Sequence, residues 1–173
     1  MTKDGQTRAG TSTEIYRGLS RRDGTIYHLV EQRHSLMPGT LQRTFLTWDG
    51  ARFRQAVTVE SDGKNTAEIA FDKPLPLGAQ DTSSGTASLT LNGAQQATVL
   101  WTFTSTSPGK ESVRVPAGSF QAQRWDVALR LGALESRLVV HVVGITDVRV
   151  ETTQTLSAQT VHMVKELTRG PVR

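Results

Sequence analysis

Four histidines, His28, His34, His141 and His162, are the side chains best suited to hold a metal ion or to move a proton near neutral pH. Their spacing argues against both roles. None stands four residues from another on a shared helical face, no H-E-x-x-H occurs, and cysteine is absent altogether. His28 in "TIYHLVEQRH" and His141 in "LVVHVVG" sit in the middle of alternating runs, where a histidine reads as part of a sheet. Nucleophilic catalysis lacks its frame as well, because no G-x-S-x-G is present and Ser119 lies in a hairpin rather than a strand-to-helix elbow. Neither G-x-G-x-x-G nor G-x-x-x-x-G-K-S/T is found, so no phosphate cradle is encoded. Asp126, Glu135 and Glu151 can meet on neighbouring strands, but some carboxylates do so in any sheet. The sequence therefore assigns no catalytic residue, no metal ligand and no cofactor, and the chain reads as non-enzymatic.

Two side-chain classes are left that can bind. Arg17, Arg21 and Arg22 precede a turn, Arg52 and Arg54 share a strand face, and Tyr16 and Tyr27 stand near them as rings able to stack. Such a face suits a protein partner; nucleic acid is the weaker expectation, since arginines on a sheet are commonly paired with carboxylates across strands. The tryptophans, Trp48, Trp101 and Trp125, form the second class. Either they fill the core or they line an apolar cavity, and they are the candidate ligand-binding residues.

The elements that would position these side chains are strands. Among 173 residues, 36% are hydrophobic and 15 are glycine, a composition suited to many half-buried strands joined by tight turns. The net charge of +4 arises from 20 basic and 16 acidic residues with interspersed signs, unlike the concentrated patch of a nucleic-acid domain. No apolar run approaches the roughly 18 residues that a spanning helix needs. Asp23-Gly24, Asp49-Gly50, Asp62-Gly63 and Asn92-Gly93 mark hairpin turns, and "ARFRQAVTVES", "NTAEIAF" and "TVLWTFT" alternate apolar with polar residues between them. "DKPLPLGAQDTSSG", residues 72–85, carries two prolines and little alternation and reads as a loop. The tail "SAQTVHMVKELTRGP" fits a helix capped by Ser157, with Lys165 and Arg169 in its last turn and Gly170-Pro171 as its stop. It fits a strand slightly better, because a helix that short needs a docking groove.

In "ESVRVPAGSFQAQRW" a turn is encoded outright: Pro116 presets φ, Ala117 follows, and Gly118 takes a positive φ that closes the hairpin. The outgoing strand sets Gln123, Trp125, Val127, Leu129 and Leu131 on one face. The expectation is an all-β fold: a flexible polar leader over residues 1–13, then one domain over 14–173. That domain is an antiparallel meander of about 9–11 strands with little helix, forming a strongly curved sheet or half-barrel.

The stretch "VRVPAGSFQAQRW" resembles the V-x-V-P-A-G-[ST]-F hairpin of uncharacterised bacterial cell-envelope β-proteins, including lipoproteins with folds similar to the lipoprotein-carrier half-barrels. The Pro74–Gly78 "PLPLG" loop and the segment around Val143-Gly144-Ile145 extend the likeness over residues 72–168. The resemblance implies a location in the envelope, periplasm or outside the cell, and a concave sheet able to take lipid, another apolar ligand or an envelope partner. It carries over no catalytic residue. A cytoplasmic interaction module using the arginine face is the alternative.

Overall fold

The structure, a computed structural model, describes residues 2–3, 6–7, 9–50, 53–76, 80–144 and 146–168, with side chains from Ala9 onward. The fold is all-β and antiparallel, and no helix occurs among the described residues. Eleven strands of eight residues or more follow one another as a meander. They are β3 (Ser12–Arg22), β4 (Thr25–His34), β5 (Leu41–Trp48), β6 (Phe53–Ser61), β7 (Thr66–Pro76), β8 (Asp81–Leu91), β9 (Ala94–Val115), β10 (Gly118–Leu131), β11 (Leu134–Val143), β12 (Thr146–Leu156) and β13 (Gln159–Glu166). Ahead of them, inside the expected leader, stand two-residue strands β1 (Thr2–Lys3) and β2 (Gln6–Thr7).

Contacts divide the chain into two compact units, Ala9–Leu77 with Ser83–Trp101, and Met1–Arg8 with Gly78–Thr82 and Thr102–Arg173. In the first unit each strand from β3 to β8 pairs with the next, beginning at β3 as the outermost strand. Its sheet buries Phe45, Ala56 and Val57, against which Tyr27, Leu29, Val59 and Ala70 pack. These side chains share one face because the register sets Leu29 opposite Phe45, Phe45 opposite Val57 and Val57 opposite Ala70. Arg22 lies 5.2 Å from the centre of the Phe45 ring and pairs with Glu68 at 2.5 Å, so its charge is satisfied beside the apolar cluster.

In the second unit β10 to β13 pair in sequence, and Thr2 of β1 pairs with His162 of β13. The core here joins Val113, Val115, Ala122 and Val148, with Ala117, Phe120 and Leu167 packed on it. The hairpin read from the sequence is its centre. Pro116 and Ala117 make a two-residue turn, Gly118 has φ of 136°, and the Ala117 N–H donates to the Leu167 carbonyl at 3.0 Å. Leu167 in turn donates its own N–H to the Val148 carbonyl at 2.9 Å, so the turn is tied to the segment that follows β13. Replacing Gly118 by valine should cost about 1–3 kcal/mol, since a β-branched residue is strained at positive φ. Only Phe120 lies within 4 Å of a Cβ at this position, at ordinary contact distance. A denaturant melt of Gly118→Val that matched wild type would remove backbone strain as the reason for glycine.

Two Asx-Gly pairs form two-residue hairpins, with φ of 47° at Asp23 and 51° at Asn92. Asp62 begins a longer turn and accepts the N–H groups of Lys64 and Asn65 at 2.8 and 2.7 Å. Residues 72–85 are not a loop throughout: β7 reaches Pro76 and β8 begins at Asp81. Pro74 is tolerated in a strand because the ladder jumps from Val57–Ala70 to Gln55–Leu75, which leaves residues 71–74 bulged away from β6. The tail is a strand, β13, which enters from a turn at Ser157-Ala158 and has no helical segment among its described residues. Arg52, Gly78, Ile145, Arg169, Gly170 and Pro171, each named in the sequence reading, lie outside the described residues.

Candidate functional site

The three tryptophans occupy three different environments. Trp101 is 1% exposed; its indole N–H is shared between Asp72 Oδ1 and the Thr86 carbonyl, each at 3.0 Å, and Phe71 meets it edge-on at 5.9 Å. Burial raises the Asp72 pKa, but hydrogen bonds from Thr86, the Trp101 indole and the Lys73 N–H outweigh it and hold the carboxyl below its ordinary value. Gly85 leaves the room this carboxylate needs, because a Cβ there would come within 2.9 Å of Asp72 Cγ. Trp125 is half-buried on β10 opposite Val140, in the other unit. Trp48, at the end of β5, is 51% exposed to solvent.

Around Trp48 the fold assembles a surface that the sequence does not announce. Trp48 packs on Phe53 with ring centres 4.9 Å apart, Phe53 on His28 at 4.9 Å, and His28 stacks on Tyr16 at 6.0 Å. The Tyr16 hydroxyl and His28 Nδ1 are joined by a hydrogen bond of 2.7 Å. Register explains the gathering: Leu19 pairs with His28, His28 with Leu46, and Trp48 with Phe53, all on the face opposite the Phe45 cluster. Tyr16 reaches that face because the ladder shifts between Tyr16 and Gly18, with Gly18 at φ of 86°. Leu19 at 68% exposure and Ile26 at 55% continue the surface. The sheet of this unit therefore carries an apolar cluster on each face, one packed around Phe45 and one open.

The arginine face divides into ion pairs. Arg17 and Arg43 both bind Glu31, at 2.8 and 3.0 Å, and Arg54 binds Asp49 at 2.6 Å. Hydrogen bonds from Arg17 first and Arg43 second hold the Glu31 carboxyl below the usual glutamate range. The stability this provides is present in full above that range and is lost as pH falls through the lowered native value. Glu31→Gln should therefore melt lower at neutral pH and lose the excess acid sensitivity of wild type below the ordinary glutamate range. Parallel melting curves of the two proteins across that window would contradict the assignment.

In the other unit, His141 is 4% exposed and its Nε2 is hydrogen-bonded to Glu111, which Arg124 also approaches at 3.6 Å. The His141 bond first, and Arg124 after it, lower the Glu111 pKa against the opposing effect of burial. Among the described residues His141 Nδ1 has no hydrogen-bond partner, so no group on that side of the ring completes a relay with the pair. His28, His34 and His162 are not brought to it: His28 belongs to the aromatic cluster, and His162 Nδ1 shares a hydrogen bond with Thr153 at 2.9 Å. Among the described residues no group of three or more His, Asp or Glu side chains converges as a metal site. A shallow cavity of about 250 Å³ beside His34, lined by Thr11, Thr13, Arg33, Ser35 and Met37, contains none of the tryptophans. No helix among the described residues is long and apolar enough to cross a membrane. No family model, no curated protein and no solved structure matches the chain.

Proposed function

We propose that this is a non-enzymatic β-protein of the bacterial envelope that holds an apolar ligand, a lipid chain foremost, on the open aromatic face of β3 to β6. The observation that carries the reading is the Tyr16–His28–Phe53–Trp48 cluster with Leu19 and Ile26 beside it: contiguous, apolar and open to solvent. Exposed apolar side chains gathered in this way mark an interaction site, because leaving them in water forgoes the free energy that burial would return. Of the three candidate tryptophans the reading keeps Trp48 as the contact residue and assigns Trp101 to structure. The envelope location is supported by the V-P-A-G-S-F hairpin, whose backbone role is the tie between Ala117 and Leu167.

The alternative, an interaction module using arginines, is weakened by the pairing of Arg17, Arg22, Arg43 and Arg54 with carboxylates. Binding of a lipophilic dye should separate the two: Trp48→Ala should weaken it about tenfold or more, as expected when a large aromatic contact is removed. Arg54→Ala should leave it unchanged. The opposite ranking would favour the arginine face.

A further inference from the structure

We propose that β3 is a homodimer interface: two copies of this chain join edge to edge through antiparallel pairing of their β3 strands about a two-fold axis between Arg17 and Gly18. Among the described residues β3 closes the strand order of its unit with β4 on one side only, and ten of its residues continue that ladder without using the other edge. Natural proteins shorten, bulge or charge such edges to keep them from pairing. β3 is bulged at Arg17 and carries Glu14, Arg17, Arg21 and Arg22, but it is eleven residues long, exposes Ile15 at 40%, Tyr16 at 58% and Leu19 at 68%, and its charges are of both signs, so they can pair with those of a second copy.

The sequence of β3 is complementary to itself. Glu14, Tyr16, Leu19 and Arg21 lie on the open face, since they pair with Gln32, Val30, His28 and Ile26; Thr13, Ile15, Ser20 and Arg22 lie on the other. The shift of register at Arg17 is what reverses the face between Tyr16 and Leu19. In a two-fold pair about Arg17/Gly18, Glu14 stands opposite Arg21 of the second copy and Tyr16 opposite its Leu19. Ile15 then meets Ser20, and Thr13 meets Arg22. Each pair joins side chains of the same face, opposite charges face each other twice by symmetry, and no like charges are directly opposed. Moving the axis by half a residue sets open-face residues against packed-face ones. Moving it by a full residue preserves the faces only away from the axis, and it sets Glu14 against Leu19, or Tyr16 against Arg21. Arg21 has no carboxylate partner among the described residues; Glu14, which within its own chain accepts a hydrogen bond from Gln32 at 2.9 Å, is the carboxylate the second copy would bring opposite it.

Sedimentation velocity on wild type and on two charge reversals tests the pairing. Wild type should dimerise, and Glu14→Arg and Arg21→Glu should each weaken the dimer about tenfold or more, because each turns two attractions into two repulsions. Both should keep the wild-type far-ultraviolet circular dichroism, as both positions are exposed. Mixing the two variants in equal amounts should restore the dimer, since every Glu-Arg contact is then re-formed in the heterodimer. A wild type that stays monomeric, a dimer indifferent to both reversals, or a mixture that stays as weak as its components would each overturn the proposal. None of these readouts depends on whether the aromatic face binds lipid.

Discussion

Trp101→Ala is expected to destabilise the fold by about 3–5 kcal/mol, the range seen when a buried tryptophan is cut back and its cavity only partly collapses. Trp101 is one of the largest side chains with almost no exposure, and it joins packing against Phe71 to hydrogen bonds with Asp72 and Thr86. Trp101→Phe keeps most of the volume and should cost distinctly less. If both variants unfolded at the wild-type denaturant concentration, Trp101 would not be part of the core, and its assignment to structure rather than ligand binding would fail.

Ala117→Pro should cost about 3 kcal/mol or more in the other unit. Proline removes the N–H that Ala117 gives to Leu167, and it is disfavoured as the third residue of the type I turn that Pro116-Ala117-Gly118 encodes. Ala117→Ser keeps the N–H and should be nearly neutral. Urea melts of the two variants distinguish a turn anchored through its backbone from one held only by side-chain packing, for which both substitutions would act through Ala117's place on the Val113–Val148 core.

The turns were legible because their chemistry is local. Asp23-Gly24, Asn92-Gly93 and Pro116-Ala117-Gly118 are recognisable from a few adjacent residues, and each stands at a strand junction. Ser157-Ala158 was not legible as a hairpin turn: Ser157 adopts φ of 56° without the Asn or Gly that usually marks such a site, and a serine ahead of an apolar run reads equally as a helix cap. The β7 bulge hid for a related reason, since its prolines signal a loop while the ladder resumes at Leu75 beyond them.

The aromatic face was out of reach for a different cause. Period-two counting places Tyr16 and Leu19 on opposite faces, and only the bulge at Arg17 brings them to the same one. Its members come from four strands whose registers are set by the whole sheet, so the sequence offers tryptophans as a class without saying which is open. Trp48, next to Asp49-Gly50 at a strand end, carried a weak signal, because a tryptophan at the mouth of a turn is more readily exposed than one in mid-strand.

The most direct test of the central claim, that the open aromatic face binds lipid, is the fluorescence of Trp48 during titration with phospholipid vesicles. Measured in a Trp125→Phe background, where buried Trp101 provides a constant signal, the emission should shift to the blue and acrylamide quenching should fall as lipid is added. Tyr16→Ala should weaken both changes. Emission and quenching that stay constant at saturating lipid, with Trp48 as open to acrylamide as before, would contradict it.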